Sequence, residues 1–341
     1  MATTILKAMG WDSGNIMFSG SDYYVSSGNS PITACGGKTG AYALCHGSSG
    51  TGYYNQWFRL ALDGTPNNPS FSAWMYMDGA QRTYATSCSR WEFLLGTGQY
   101  VEIRWNSTTY TYDAYVNNGL VAAGSISVGP ASGWFHVQMY CTIADAGTIQ
   151  MKIDGHLSID YSGDTQPGAV TGATHLYHVA YLIAPGGYYV KVDDLVIGYG
   201  GFIGDVRCID IRPSADTAQD DWTPSAGDNY STIDESPPSD ADYNETNTNA
   251  QSDELELGNY DGVTYTPMAI TAWVRAKELT ANGDSIKVGI DSNGVDDVTE
   301  SSLFTTTLYH WHTADQNPDG PAAWNDAAID ALKLRYESVI P

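Results

Sequence analysis

Gly133-Trp-Phe-His-Val-Gln-Met-Tyr140, Gly147-Thr-Ile-Gln-Met-Lys-Ile-Asp-Gly155 and Tyr188-Tyr-Val-Lys-Val-Asp-Asp-Leu-Val-Ile-Gly198 decide the reading of this chain. Together they make one stretch, Trp134 to Tyr199. Each piece alternates apolar and polar residues, the period of a strand with one buried face. Phe135, Val137 and Met139 fall on one side; His136, Gln138 and Tyr140 fall on the other. Ile149, Met151 and Ile153 repeat the pattern, and Asp154-Gly155 behind them predicts a tight hairpin. Val190, Val192, Leu195 and Ile197 supply the next strand. The phase slips by one residue at Asp193-Asp194, which predicts a bulge.

Outward from this stretch the pattern stays that of strands. Short apolar-alternating runs recur from Ile5 to Val128 at a spacing near ten residues, separated by Gly-rich and Asn-rich turns such as Asn117-Asn-Gly119. That spacing predicts a sandwich, with Leu120 to Val128 as one strand, and no stretch here keeps a helical period over three turns. The apolar period restarts after Gly200-Gly201, so a second domain is expected from there. Its expected strands cover 202–211, 268–274, 285–290 and 303–311, with Leu334, Tyr336 and Val339 in a last one. Trp324 to Lys333 is the one expected helix, capped by Asn325 or Asp326. From Arg212 to Arg275 no Lys or Arg intervenes, and thirteen Asp or Glu do. The acidic part, 214–256, is expected to be ordered but irregular, anchored by Trp222, Tyr230, Ile233 and Tyr243.

Three sets of residues resemble a known family. Gly133-Trp-Phe-His-Val, Lys152-Ile-Asp-Gly155 and Val192-Asp-Asp-Leu-Val-Ile-Gly198 look like the later strands of a concanavalin A-like, laminin-G-type jelly roll. Gly10-Trp-Asp-Ser-Gly14 and Thr39-Gly-Ala-Tyr-Ala-Leu44 resemble the front of that domain as it occurs in tailed-phage virion proteins. Gly201-Phe-Ile-Gly-Asp-Val-Arg-Cys-Ile-Asp-Ile-Arg-Pro213, followed by Asp221-Trp-Thr-Pro-Ser225, resembles the continuation in the same proteins. The resemblance implies an all-β chain of two antiparallel sandwiches. Residues 1–200 form the concanavalin A-like jelly roll; 201–341 form a smaller sandwich with one short helix. It further implies a non-enzymatic structural protein on the outer surface of a tailed-phage virion, as head decoration or tail-associated. Its partners would be other virion proteins and copies of itself. The alternative is a carbohydrate-binding receptor module on the virion surface, whose partner is a host surface glycan. A glucanase-type hydrolase is the third reading. Trp134, His136, Asp154, Gly155, Asp193 and Asp194 carry the structural motif.

Composition narrows the partners. The 341 residues hold 15 Lys plus Arg against 39 Asp plus Glu, a formal charge of −24. Phosphate binding needs basic patches, so nucleic acid is disfavoured. An anionic membrane is disfavoured for the same reason. Met1-Ala-Thr-Thr-Ile-Leu-Lys lacks the charged head and apolar core of a signal peptide, and the phage resemblance implies synthesis in the bacterial host cytoplasm. The five cysteines (35, 45, 88, 141 and 208) are odd in number and fit no metal spacing, so a reduced state is expected. Cys35 and Cys45 can pair in an oxidising medium.

Chemical motifs are scarce. No Glu-x-Asp-x-x-Glu triplet sets paired carboxylates on one strand, the arrangement that related glucanases use. Asp193 and Asp194 are adjacent and are expected to point to opposite faces. Glu254-Leu-Glu256 alternates correctly but is expected in the acidic loop. His310 and His312 share a strand face and can bind a metal with a third ligand; as polar positions flanking Trp311 they need none. Asp291-Ser-Asn-Gly-Val-Asp-Asp297 resembles the start of a calcium loop without its distal Glu, and a turn accounts for Asn293-Gly294 equally well. No cofactor is expected, with calcium left open and no ligand set defined. Tyr53, Tyr54, Tyr110, Tyr112, Tyr177 and Tyr181 are the aromatics that can stack a glycan or line an interface.

Overall fold

The computed structural model describes residues 4–9, 23–26, 33–35, 38, 43–47, 54–62, 64–84, 88–96, 98–170, 172–182, 189–235, 239–260, 266–320 and 322–341. The Gly10–Gly14 signature and Tyr53 lie outside them. The chain divides into two compact units, the first reaching Cys208 and the second running Ile209–Pro341. Both are antiparallel β structures.

The strands of the first unit are β1 (Thr4–Met9), β2 (Tyr23–Ser26), β3 (Thr33–Cys35), β4 (Ala43–Gly47), β5 (Tyr54–Ala61), β6 (Pro69–Met77), β7 (Ser89–Leu94) and β8 (Tyr100–Asn106). They continue with β9 (Thr111–Val116), β10 (Gly119–Ala122), β11 (Gly133–Thr142), β12 (Gly147–Ile153), β13 (His156–Gly163), β14 (His175–Leu182) and β15 (Tyr189–Tyr199). One eight-stranded sheet runs β13-β12-β11-β6-β15-β4-β3, with β1 also on β15; a seven-stranded sheet runs β10-β9-β8-β7-β14-β5-β2.

The alternation read from sequence is what closes these sheets on each other. Phe71, Met75, Val137, Met139, Ile149, Met151, Val192 and Ile197 of one sheet and Phe58, Trp91, Phe93, Ile103, Trp105 and Leu176 of the other are all fully or almost fully buried. Burying each such large side chain stabilises by about 1.5–3 kcal/mol. Phe71 stacks on Trp91 with centroids 4.4 Å apart, which locks the two layers in register.

Two-residue turns fix the pairings. Asp154 (φ 47°) and Gly155 (φ 81°) join β12 to β13, and Asn117 (φ 45°) and Asn118 (φ 67°) join β9 to β10. Both positions of such a turn need the left-handed region, which Asn, Asp and Gly tolerate. The expected bulge is present: pairing of β15 with β6 shifts between Asp193 and Val196, and Asp194 has φ 48°.

Three expectations for the first unit are corrected. Leu120–Val128 is a strand only to Ala122, because beyond it Ser125 N and Ser125 Oγ bond to Ser158 O instead of extending the ladder. Residues 202–211 form no strand. Their polar groups go to the outer face of the eight-stranded sheet: Ser72 Oγ donates to Gly204 O (2.7 Å), Gly204 N to Gln138 Oε1 (2.8 Å), and Trp74 Nε1 to Asp205 Oδ1 (3.0 Å). A short helix, α1 (Gly79–Tyr84), stands where none was expected. Arg82 holds it down by donating to Val128 O and Gly133 O.

The second unit is built on β16 (Pro213–Asp220), β17 (Thr223–Pro224), β18 (Asn244–Glu245), β19 (Ser252–Leu257), β20 (Ile270–Ala276), β21 (Ser285–Ser292), β22 (Val295–Ser302), β23 (Leu308–Ala314) and β24 (Leu332–Val339). A five-stranded sheet runs β16-β19-β24-β21-β22, and β20 pairs with β23 in a ribbon. Their core gathers Leu255, Ala272, Ile286, Val288, Ile290, Ala314, Trp324, Leu332 and Tyr336. The expected helix shortens to α2 (Asp326–Asp330), capped by Asn325, whose side chain accepts from Ala328 N. β24 follows at once and takes the residues after Ala331.

The acidic segment holds more ladder than expected, since β16 and β19 frame it. Trp222, Tyr230 and Ile233 do pack on the core, whereas the Tyr243 side chain is 48% exposed and stands outside it. Buried Asp253 is the real anchor. It accepts from Trp222 N (2.9 Å), Asn229 Nδ2 (2.7 Å) and the Tyr336 hydroxyl (2.6 Å). Glu254-Leu-Glu256, expected in a loop, lies in β19. There Leu255 enters the core and Glu254 bonds Lys333 and Arg335.

Candidate functional site

The outer face of the seven-stranded sheet follows from the inward one. Trp91 and Phe93 point into the sandwich, so Arg90, Glu92 and Leu94 point out. Val101, Ile103 and Trp105 point in, so Tyr100, Glu102 and Arg104 point out. The register of β7 on β8 then sets Glu92 directly opposite Glu102, and Arg90 opposite Arg104. The next strands continue the row: Glu102 faces Tyr115 on β9, Glu92 faces Tyr177 on β14, and Tyr177 faces Arg59 on β5.

Two carboxylates opposed on adjacent strands repel unless cations or protons intervene. Both devices are present. Arg90 Nε lies 3.5 Å from Glu92 Oε2 and 3.4 Å from Glu102 Oε2, bridging the pair; Arg104 Nη2 contacts Glu102 Oε1. Burial, the largest cause, pushes both carboxyls above the usual range; the arginines pull the other way without cancelling it. Glu102 is fully buried, and neither of its oxygens receives a well-aligned hydrogen bond. Arg90, whose side chain is 34% exposed, is the most accessible member of the group. Arg104 is further held by Asn118 Oδ1 (2.6 Å) and lies 4.4 Å over the Tyr115 ring.

On the other side of the pair, Tyr177 sits 5.7 Å from Trp57 and 6.2 Å from His175, and its hydroxyl accepts from Arg59 Nη1 (3.4 Å). The face therefore presents aromatic rings on both flanks of a buried, cation-bridged carboxyl pair. Carboxylates accept from hydroxyls, guanidinium groups donate to them, and rings offer stacking surface.

The six tyrosines singled out in the sequence part company here. Tyr177 belongs to this face. Tyr112 is fully buried between the sheets, donating to Ser89 Oγ (2.8 Å), and Ser89 Oγ lies 3.2 Å from His178 Nε2. Tyr110 stands in the turn before β9 with φ 58°. Tyr54 lies on β5 and Tyr181 on β14.

The motif residues lie mostly on the opposite sheet. Trp134 and His136 face outward from β11. The Ser72 proton goes to Gly204 O, so His136 Nε2–H is the donor to Ser72 Oγ at 2.7 Å. Burial lowers the pKa of that imidazole. Asp154 Oδ1 accepts from His136 N (2.8 Å), tying the Asp154–Gly155 turn to β11. Asp193 and Asp194 do not diverge to opposite faces. The bulge lets Asp193 Oδ2 accept from Lys38 N (2.8 Å) and Asp194 Oδ1 from Cys208 N (2.9 Å).

The ligating residues of the second unit are engaged with each other. His310 Nδ1 meets Ser301 Oγ (2.9 Å); His312 Nδ1 meets Thr299 Oγ1 (2.8 Å), and its Nε2 lies 3.0 Å from Asp297. Among the described residues, one trio of potential ligands converges, Glu254, Asp291 and Asp296. Lys333 already contacts Glu254 (3.1 Å) and Asp291 (3.6 Å), and Arg335 contacts Glu254 (2.6 Å) and Asp296 (3.2 Å). The Asp291–Asp297 segment is a hairpin, with Asn293 at φ 53° and Gly294 at φ 83°.

No family model and no curated protein matches this chain. Among solved structures, it is similar to a carbohydrate esterase, vb_24B_21, from the Shiga toxin-encoding bacteriophage phi24B (12% identity, 59% of this chain, 100% of that one, TM-score 0.42). It is also similar to the endo-β-1,4-glucuronan lyase of the fungus Trichoderma reesei (12% identity, 58% and 96%, TM-score 0.39). A third is the Emp47p carbohydrate recognition domain (8% identity, 58% and 97%, TM-score 0.39).

Proposed function

We propose that this protein binds a saccharide on the outer face of its seven-stranded sheet and does not cleave it. The observation that carries the reading is the Glu92–Glu102 pair. Glu102 is buried and held by Arg104 and Arg90, whereas Glu92 shares only the more accessible Arg90, so acceptor capacity of the pair comes to the surface at Glu92. Hydroxyls of a sugar supply donors to both carboxyls, once the exposed Arg90 side chain swings aside, while Tyr177 and Trp57 take the ring face. Hydrolysis by two carboxyls needs one kept protonated and the other ionised. Here burial pushes both the same way, which supports binding without cleavage.

The purified chain on a glycan array, followed by calorimetry, tests this. Glu92→Gln and Tyr177→Ala should each weaken the best ligand at least about tenfold. Wild-type affinity in both variants, or release of reducing ends from the bound oligosaccharide, overturns the reading. The resemblance of Gly201–Pro213 and Asp221–Ser225 supports a tailed-phage virion as the setting, with the protein on the outer surface among other virion proteins. Antibody against 214–256 should then label intact particles; labelling only after disruption rejects that placement.

A further inference from the structure

We infer that the outer face of the seven-stranded sheet takes an uncharged, straight saccharide chain over a length of four sugars, laid across the strands with one sugar to each. The inference rests on the reading of this face as a saccharide site. Tyr112 and Ala114 are fully buried, so Tyr115 on β9 points outward with Glu102. Strand register then sets five side chains in one row: Leu120 pairs with Tyr115, Tyr115 with Glu102, Glu102 with Glu92, and Glu92 with Tyr177. Tyr115 and Tyr177 are both half-buried. Three strand spacings, about 14 Å, separate them. An extended pyranose chain advances by about one strand spacing per sugar. Four sugars therefore reach from one tyrosine to the other, and no shorter chain covers both.

The two ends of the row differ. At β5 it meets Arg59, which pairs with Tyr177 and donates to its hydroxyl (3.4 Å). At β10, the last strand of the sheet, it runs out on Leu120, 58% exposed. A longer chain passes off that edge without another ring to stack on. Between the tyrosines the sugar hydroxyls meet both kinds of group they need: Glu92 accepts, and Arg90 donates. Arg104, 4.4 Å over the Tyr115 ring, adds a flat guanidinium to that end. Charge selects against ions. The face carries Arg59, Arg90 and Arg104 against Glu92, Glu102 and Asp113. Arg90 and Arg104 lie on the two glutamates, and Asp113 accepts from Asn106 Nδ2 (2.7 Å) and Gly124 N (3.0 Å). A balanced and internally paired set of charges offers no net field to an ionic sugar, whereas hydroxyls bond ion-paired groups as well as free ones.

Calorimetric titration of the full chain with cello- and chito-oligosaccharides of one to six sugars tests this, with maltotetraose as a curved chain and β-1,4-linked tetraglucuronate as a charged one. In at least one straight series the affinity should climb to the tetrasaccharide, about thirtyfold above the disaccharide, and then stay level to six sugars. Maltotetraose and tetraglucuronate should each bind at least about tenfold more weakly than the straight tetrasaccharide, whose affinity should not change with salt. Tyr115→Ala should weaken the tetrasaccharide about tenfold and leave the disaccharide, seated on Glu92 and Tyr177, as it was. The wild-type length series stands even if that variant unfolds. Four outcomes overturn this inference and leave the saccharide reading in place: a disaccharide equal to the tetrasaccharide, a gain that continues past four sugars, preference for the charged or the curved chain, or a glycan held through Glu92 and Tyr177 while both straight series fail. Absence of binding by every glycan on the array overturns that reading and this one together.

Discussion

His310→Gln should remove a defined part of the pH dependence of stability. His310 lies on β23, 6% exposed, with Nδ1 on Ser301 Oγ and with Val274 as its cross-strand neighbour. Burial lowers its pKa from 6.5 to about 4. The unfolded chain therefore binds a proton at this residue that the native state refuses. Stability is intact above about pH 6.5 and falls as pH drops from there towards 4. At about 1.36 kcal/mol per pH unit, the loss totals roughly 3 kcal/mol, of which about 2 kcal/mol falls between pH 7 and pH 5. Asp253, Glu92 and Glu102 have raised pKa values and act with the opposite sign, stabilising on acidification. The quantity to measure is therefore the difference between wild type and variant, by urea unfolding at pH 7 and pH 5. The gap between the two proteins should shift by about 2 kcal/mol in favour of the variant at pH 5. Parallel pH profiles, or an imidazole resonance of His310 titrating near 6.5 in the folded protein, would refute the reasoning.

Asp253→Ala leaves Trp222 N and the Tyr336 hydroxyl without their acceptor, takes one of two acceptors from Asn229 Nδ2, and should cost about 3 kcal/mol, read as an early urea transition of the second unit. Gly289→Ala would bring a methyl to 2.0 Å from Asp297 O; the β21–β22 hairpin must then part, and soluble yield or melting temperature should drop sharply. Burial drives the Cys88 and Cys141 thiols far up, so iodoacetamide at pH 8 should spare both in the native protein and modify them after denaturation, while half-exposed Cys208 reacts ahead of these two. Early alkylation of Cys88 would mean that the sandwich opens at that end.

What was legible in the sequence was whatever depends on neighbours along the chain. Asp154-Gly155, Asn117-Asn118 and Asn293-Gly294 announce turns because φ above zero selects residue types locally. Phe135, Val137 and Met139 announce a buried face because the strand period is two. The Val295–Ser302 strand was illegible because its residues are mostly polar and exposed at a sheet edge; its ladder to β21 comes from the Asn293–Gly294 hairpin. α1 was hidden because six residues carry no period and Arg82 stabilises it through contacts with residues about fifty positions away. The carboxyl pair needed register as well as pattern. Arg90-x-Glu92 and Glu102-x-Arg104 are symmetric about position 97, and the turn closed by Leu95 N to Gln99 O converts that symmetry into opposition. A search for charges on one strand passes over a pair created by two.

The segment that carries the chain out of the first unit also governs how that unit bears mechanical load. It leaves β15, which is flanked by β6 and by β1 and β4 within its sheet, and is then fastened back by Ser72, Gln138, Trp74 and Asp194. Tension applied through the second unit meets these four side-chain fasteners before any ladder bond of β15. They hold only three points of the segment, Cys208, Asp205 and Gly204, which can release in that order, the first lengthening the tether by three residues and the second by one while the sandwich stays shut. Only after the last has gone does force reach the β15 ladder. A tether that lengthens in steps absorbs a jolt that would otherwise fall on the sheet at once.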